Sequence, residues 1–341
     1  MRRLARAAGL VLSVFAIAPQ ATASGVEPEL LQGDVRAHDP SSIIQSGGRY
    51  YLFSTGWGLR TKSSDDLIHW SEGPPVFRRG VSPAWPQQVA PGFQGHFWAP
   101  DLVRCGNVYR LYYSVSRFGK QTSAIGLATS GAFTANDSVL DWKDQGVVIQ
   151  SRAGDPYNAI DPSVLVAKDG RHWLAFGSFW DGIYLTELNP ETGLLLNPTT
   201  KPTRIASANE IEAATLLQHE GWCYLFVNHG LCCRGVDSTY RVLVGRSKRV
   251  EGPYLDKEGR DLIDGGGTLF LQSQGAQIGP GHIALLADSP ANRFAFHYYD
   301  GDDRGKSKLA MANMHWSNEG WPEAADIHLA SPDAGGSTRP D

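Results

Sequence analysis

An aromatic, strand-like phrase returns five times along the chain, and it restricts the fold more than any other feature. The copies are Gly48-Arg-Tyr-Tyr-Leu-Phe, Gly106-Asn-Val-Tyr-Arg-Leu-Tyr-Tyr, Gly170-Arg-His-Trp-Leu-Ala-Phe, Gly221-Trp-Cys-Tyr-Leu-Phe and Asn292-Arg-Phe-Ala-Phe-His-Tyr-Tyr. Their starts at 48, 106, 170, 221 and 292 are 58, 64, 51 and 71 residues apart. A shorter apolar stretch follows each, such as Ile125-Gly-Leu-Ala-Thr-Ser or Val242-Leu-Val-Gly-Arg-Ser. Alternating polarity, aromatic and β-branched content and frequent Gly and Pro turns are the marks of strands. No long stretch with the 3.6-residue period of a helix follows residue 23. A unit of about four strands cannot bury both of its faces alone, whereas units stacked around a ring cover one another. The expected fold is therefore all-β: a single five-bladed β-propeller over residues 24–330. A sandwich gives no reason for five similar units.

The ends of the chain read differently. Arg2, Arg3 and Arg6 precede an apolar run from Ala7 to Ala18, and Ala21-Thr22-Ala23 is an A-x-A site. This is the layout of a secretory signal peptide over residues 1–23. The run is shorter than the roughly 20 residues that cross a bilayer. A secreted or periplasmic protein is expected, with no membrane partner once the signal is removed. Residues 331–341 are rich in Gly, Ser, Pro and Asp and read as a mobile tail. Lys and Arg number 31 against 35 Asp and Glu, which excludes the clustered positive surface of a nucleic-acid binder. Of the four cysteines, Cys105 and Cys223 lie in apolar strand patterns and read as buried thiols. Cys232 and Cys233 are adjacent, and their redox state is open. The oligomeric state is open too, with a monomer expected.

Acidic residues recur at one register of the repeat. Asp39 and Gly48, Asp161 and Gly170, and Glu212 and Gly221 are each nine positions apart, and His282 lies ten before Asn292. That register belongs to the strand preceding each aromatic one, the innermost of its blade. Equivalent inner positions converge at one end of a propeller's channel, so three carboxyls are expected to meet there. Glu210 shares a strand face with Glu212 and is the rival acid, but the register favours Glu212. Two acids flanking a bond, one ionised to activate water and one protonated to release the leaving oxygen, are what glycoside hydrolysis requires. A third anion nearby raises the pKa of the proton donor. Acids on different blades leave room for a water between them, which predicts inversion. Other chemistries lack their motifs: there is no G-x-S-x-G elbow and no phosphate-binding G-x-x-x-x-G-K-[ST] loop, and His219-Glu220 has no second histidine for zinc.

The chain also resembles glycoside hydrolase family 43, specifically its arabinanases, from about Asp34 to Leu286. The resemblance rests on His38-Asp-Pro-Ser, Phe97-Trp-Ala-Pro-Asp101, Leu111-Tyr-Tyr-Ser-Val-Ser, Ser123-Ala-Ile-Gly-Leu-Ala-Thr-Ser130, Tyr157-Asn-Ala-Ile-Asp-Pro, Phe176-Gly-Ser-Phe-Trp, Ile211-Glu-Ala, Cys232-Cys-Arg-Gly-Val-Asp-Ser-Thr-Tyr240 and Gly279-Pro-Gly-His282. It implies a five-bladed propeller that cleaves α-1,5-linked L-arabinofuranose chains with inversion. It further implies Asp39 as general base, Glu212 as general acid and Asp161 as the carboxylate that tunes and holds the acid. Trp98 and Phe118 are implied as sugar-stacking walls, and Asn158, Ser178 and Arg234 as polar contacts to the sugar. His282 is implied to face a calcium-type ion, mostly water-bound, in the channel; no organic cofactor is implied. Ala213-Ala214-Thr215 stands where similar enzymes usually have Ala-Pro-aromatic, so the wall beside the acid is expected to differ.

The expected activity is that of an endo-acting arabinanase on arabinan or arabino-oligosaccharides. An exo-acting arabinofuranosidase or β-xylosidase of the same fold differs only by a loop that closes one end of the cleft. A sugar-binding propeller without catalysis is disfavoured by the presence of all three acids.

Overall fold

The structure is a computed structural model that describes residues 29–80, 83–131, 141–287 and 293–334. The expected signal peptide, and residues 335–341 of the expected tail, lie outside the described residues. Five sheets, antiparallel apart from one outer pair, follow one another along the chain. Each of the five aromatic repeats forms the second strand of its sheet: Arg49–Ser54, Val108–Val115, His172–Phe176, Trp222–His229 and Arg293–Asp300. The strands before them, Ile44–Ser46, His96–Cys105, Ser163–Val166, Ile211–His219 and Gln277–Leu285, pair with them antiparallel. Helix is confined to Pro86–Val89 and a few single turns among the described residues. The fold is the five-bladed propeller that the repeat predicts.

The core lies between blades, which is why no blade stands alone. Phe53 and Tyr51 of blade 1 pack with Phe97, Tyr109, Leu111 and Tyr113 of blade 2. Tyr112, Ile125 and Leu127 of blade 2 pack with Leu174, Phe176 and Tyr184 of blade 3. Trp173, Ala175 and Leu185 of blade 3 meet Leu216, Leu225 and Val227 of blade 4. A fourth cluster joins blade 5 to blades 4 and 1, through Phe226, Phe294, Phe296, Leu309, Leu52 and Trp70. Apolar area leaves water only when neighbouring blades close on it, so burial itself drives the ring shut.

Polar bonds fix the order of the inner strands. Asp101 is buried and accepts from the Ser42 N–H (3.3 Å) of blade 1 and the Val164 N–H (2.7 Å) of blade 3. Ser163 Oγ accepts from the Leu216 N–H (3.0 Å), and Thr215 Oγ1 donates to the Ile283 carbonyl (2.7 Å). The Ile43 N–H donates to the Leu285 carbonyl (2.7 Å), joining blade 5 to blade 1. On the outside, Gln32–Gly33 runs parallel to His69–Glu72. Lys62, fully buried, holds the adjoining Asp34 at 2.8 Å. Leu31 donates to the Leu329 carbonyl, and Ser331 donates back to Leu31 (both 2.8 Å), so the first strand ties blade 1 to the end of blade 5. Ser331 and Ala334, at the start of the expected tail, are buried there.

Candidate active site

At one end of the channel the chain kinks in or just ahead of each inner strand. Asp39, Ala99, Asp161, Ala213 and His282, one residue per blade, have φ of 47°, 39°, 57°, 52° and 52°. Left-handed backbone at a residue other than glycine is strained, and such strain concentrates at functional sites. Around the kinks of the last four blades the pairing with the second strand slips or has not yet begun at Ser163. The kinks turn side chains of different blades toward the axis. In blade 4 the kink falls on Ala213 and the acid precedes it, so the register equates Glu212 with Asp39 only to within one residue. Of the rival acids, Glu210 is exposed just before the strand, whereas Glu212 is 7% exposed within it.

Asp39 sits in a nest of imidazoles. His38 Nδ1 lies 2.8 Å from its Oδ2, and the Thr55 hydroxyl donates to the same oxygen at 2.7 Å. His282 Nδ1 and His297 Nδ1 lie 3.6 and 3.7 Å from Oδ1. The Asp39 N–H donates to His297 Nδ1 (3.1 Å), which secures the strained backbone. His38 stacks on His297 with ring centroids 4.1 Å apart, and its Nε2 meets the Tyr299 hydroxyl at 2.8 Å. Burial pushes the Asp39 carboxyl up, but His38, His282 and His297 outweigh it and hold it well below the usual carboxylate range. The same contact carries His38 well above the usual imidazole range despite its burial.

The other two acids behave in the opposite way. Among the described residues Asp161 accepts only a 3.2 Å bond from the Ala213 N–H, while its own N–H donates to Ser114 Oγ at 3.0 Å. Burial, then the charges of Glu212 and Asp39, lift its pKa well above the ordinary value. Glu212 receives the Ser178 hydroxyl on Oε2 at 2.6 Å and the Tyr240 hydroxyl on Oε1. Burial nevertheless raises its pKa, with the Asp39 charge in the same direction. Two buried carboxyls that repel cannot both ionise cheaply, so each opposes the loss of the other's proton. The three acids thus come together around one channel in opposed surroundings, one with its pKa lowered and two with theirs raised.

Tyr240 reaches Glu212 because blade 5 makes room for it. A Cβ on Gly281 would lie 2.5 Å from Tyr240, and one on Gly279, which has φ of 54°, would lie 2.2 Å from Ser238 Oγ. The Gly279-Pro-Gly-His motif is therefore a close-approach strand under the loop that carries Tyr240.

The expected sugar contacts divide. Trp98 is half-buried, with its indole N–H donated to His96 Nδ1 (3.0 Å). Phe118 is 83% exposed and free to offer a ring face. Asn158 is buried with no partner for its Oδ1, a polar group that a hydroxyl can satisfy. Ser178 is taken up by Glu212 and acts on the acid itself. Arg234 is exposed and makes no ion pair among the described residues.

His282 is buried, and its N–H donates to Asn228 Oδ1 (3.1 Å). Calcium takes six to eight oxygen ligands. An ion beside His282 would find one imidazole and a carboxylate already shared by other rings, and would take its remaining ligands from water. The tightest group of metal-type donors among the described residues is instead His38, Asp39 and His297, within 4.8 Å of one another. Two nitrogens and one carboxylate suit a transition metal better than calcium.

Sequence reading passed over Thr55, Tyr240, His297 and Tyr299. The signals were present: Tyr240 closes the Cys232–Tyr240 motif, and His297 and Tyr299 share one face of the fifth aromatic repeat by period two.

Ring, kinked inner strands and converging carboxyls define a class, the propeller-fold glycoside hydrolases. The chain belongs to glycosyl hydrolases family 43, whose model matches residues 33–322. It is 40% identical over 326 residues to the Bacillus subtilis "extracellular endo-alpha-(1->5)-L-arabinanase 1", covering 93% of this chain and 94% of the relative. It is 39% identical over 310 residues to the Cellvibrio japonicus "extracellular exo-alpha-(1->5)-L-arabinofuranosidase ArbA", covering 87% and 88%. The solved Cellvibrio cellulosa alpha-L-arabinanase complexed with arabinohexaose superposes with a TM-score of 0.80 at 38% identity, covering 86% of this chain and 96% of that one.

Proposed function

We propose that this chain is an exported hydrolase that cleaves internal α-1,5-L-arabinofuranosidic bonds of arabinan with inversion. The observation that carries the reading is the meeting of three acids in opposed surroundings: Asp39 among three imidazoles on blade 1, which lower its pKa, and Asp161 and Glu212 buried on blades 3 and 4, where theirs are raised. Asp39 takes a proton from a water on one face of the sugar, and the oxygen attacks the anomeric carbon. Glu212 gives its proton to the departing glycosidic oxygen on the other face. Asp161 keeps that proton available by opposing ionisation of Glu212, and the Ser178 and Tyr240 hydroxyls aim the carboxyl. The product is the β-anomer, because one displacement inverts the centre. Relatives named as acting on α-1,5-linked arabinan support the substrate, and their description as extracellular supports export.

Trp57, Phe118 and Trp180 are 50%, 83% and 45% exposed. Each follows the second strand of its blade, at the end where the acids gather. Such a row of rings favours a chain lying across the site, hence endo action. The exo reading is kept by the Cellvibrio japonicus relative, whose name states it. Linear arabinan decides between them. Endo action lowers viscosity steeply while few reducing ends appear, whereas release of arabinose alone from the first minutes establishes exo action.

We also propose a hydrated calcium ion held by His282; when bound, it supplies positive charge beside Asp39. Dialysis against a chelator is expected to lower the Tm by several degrees, with recovery on adding calcium. An unchanged Tm and unchanged activity make His282 an interior histidine that serves Asp39 alone.

A further inference from the structure

The loop from Gly230 to Tyr240 does more than deliver Tyr240. It carries two adjacent cysteines to the far side of His38. Cys232 Sγ and Cys233 Sγ are 2.8 Å apart as thiols, and Cys233 is exposed. The Cys233 N–H donates to the Tyr299 hydroxyl (2.7 Å), and its backbone is left-handed, with φ of 60°. Its sulfur lies 3.8 Å from His38 Nε2. The two sulfurs are unequal. Cys233 is the more exposed and lies beside His38 Nε2, a neighbour that favours its thiolate, whereas Cys232 is half-buried and, among the described residues, meets only its partner sulfur. An exposed thiolate backed by a neighbouring protonated thiol is the pairing that thiol–disulfide exchange uses, one sulfur attacking and the other resolving. Neither remaining cysteine competes: Cys105 ends the inner strand of blade 2, and Cys223 is buried on blade 4, where it meets Gln218.

We propose that Cys232 and Cys233 form a redox site whose substrate is a small-molecule disulfide, and that the pair closes to a vicinal disulfide beside His38. The Cys233 thiolate attacks one sulfur of the disulfide, forming a mixed disulfide and expelling one small thiolate. Cys232 gives up its proton and attacks Cys233 Sγ, forming the protein disulfide and expelling the second. Two cysteine thiols and one small disulfide thus become one protein disulfide and two small thiols, with two electrons passed to the small molecule. Closing the ring turns the Cys233 sulfur toward Cys232 and away from His38, the ring that grips Asp39. The loop's redox state thereby sets the company that the Asp39–His38 pair keeps.

The test uses the purified whole protein, first reduced and freed of reductant, then incubated with oxidised glutathione. Titratable thiols in denaturant are expected to fall from four to two, and the intact mass to fall by two hydrogens. The tryptic peptide 205–234 holds Cys223, Cys232 and Cys233. After oxidation, alkylation should mark only Cys223 within it. The reduced protein should bind one equivalent of phenylarsine oxide, which joins two thiols and releases water; the oxidised protein should bind none. Cys232→Ser should stop at a single glutathione adduct on Cys233. Four persisting thiols, loss of the Cys105 or Cys223 thiol, a disulfide between two chains, or loss of two hydrogens in Cys232→Ser each overturns the proposal.

Discussion

Asp39→Asn and Glu212→Gln are each expected to lower kcat on linear arabinan by about 10^2- to 10^4-fold, the usual span for losing a positioned base or acid. The two variants should then part company on an aryl α-L-arabinofuranoside with a nitrophenolate leaving group. That group departs without protonation, so Glu212→Gln recovers most of its deficit and Asp39→Asn recovers none. The asymmetry follows from the site: Asp39 is held ionised by His38, Thr55, His282 and His297, whereas Glu212 is buried against proton donors and a repelling acid. Equal deficits on both substrates defeat the assignment of acid and base. Wild-type turnover in both variants defeats the site.

Asp161→Asn should produce the second large effect, with opposite signs for activity and stability. Activity requires the proton on Glu212, which is present at low pH and lost as pH rises. Asp161 repels that ionisation and so extends the active range upward. Its replacement should lower kcat by about 10^2-fold and move the alkaline limb of the kcat/KM profile to lower pH. The fold responds the other way. A carboxyl whose pKa is raised on folding binds its proton more tightly in the native state. It therefore erodes stability as pH climbs from the unfolded carboxylate range through the folded pKa. Asparagine carries no such cost, so the variant should melt higher than wild type at neutral pH. Each kcal/mol relieved is worth about 2–4 °C. Below the unfolded range, where both carboxyls are protonated, the gain should disappear. A variant that melts lower at neutral pH, or keeps the wild-type alkaline limb, shows that Asp161 is an ordinary structural acid.

These effects depend on features that differ in how openly the sequence states them. The repeats at Gly48, Gly106, Gly170, Gly221 and Asn292 announce the blades because each must present the same apolar alternation to a neighbour. The nine-residue register finds Asp39, Asp161 and Glu212 because repeats place like positions at like depths. It misplaces Glu212 by one residue against the kink at Ala213, since a bulge shifts spacing without leaving a sequence mark. The resemblance implies Ser178 as a sugar contact, but motif order does not show that its hydroxyl also donates to Glu212, 34 residues later.

The sequence by itself determined the number of blades, the strands that form them and the acids that face the channel, since all three follow from local periodicity repeated at intervals. Only the closed ring decided which groups surround those acids. His297 reaches Asp39 across 258 residues and Cys233 reaches His38 across 195, through contacts that no local pattern encodes. The ring also decided which carboxyl keeps its proton. Protonation is set by how much water and which charges remain around a group, and those are properties of the assembled channel.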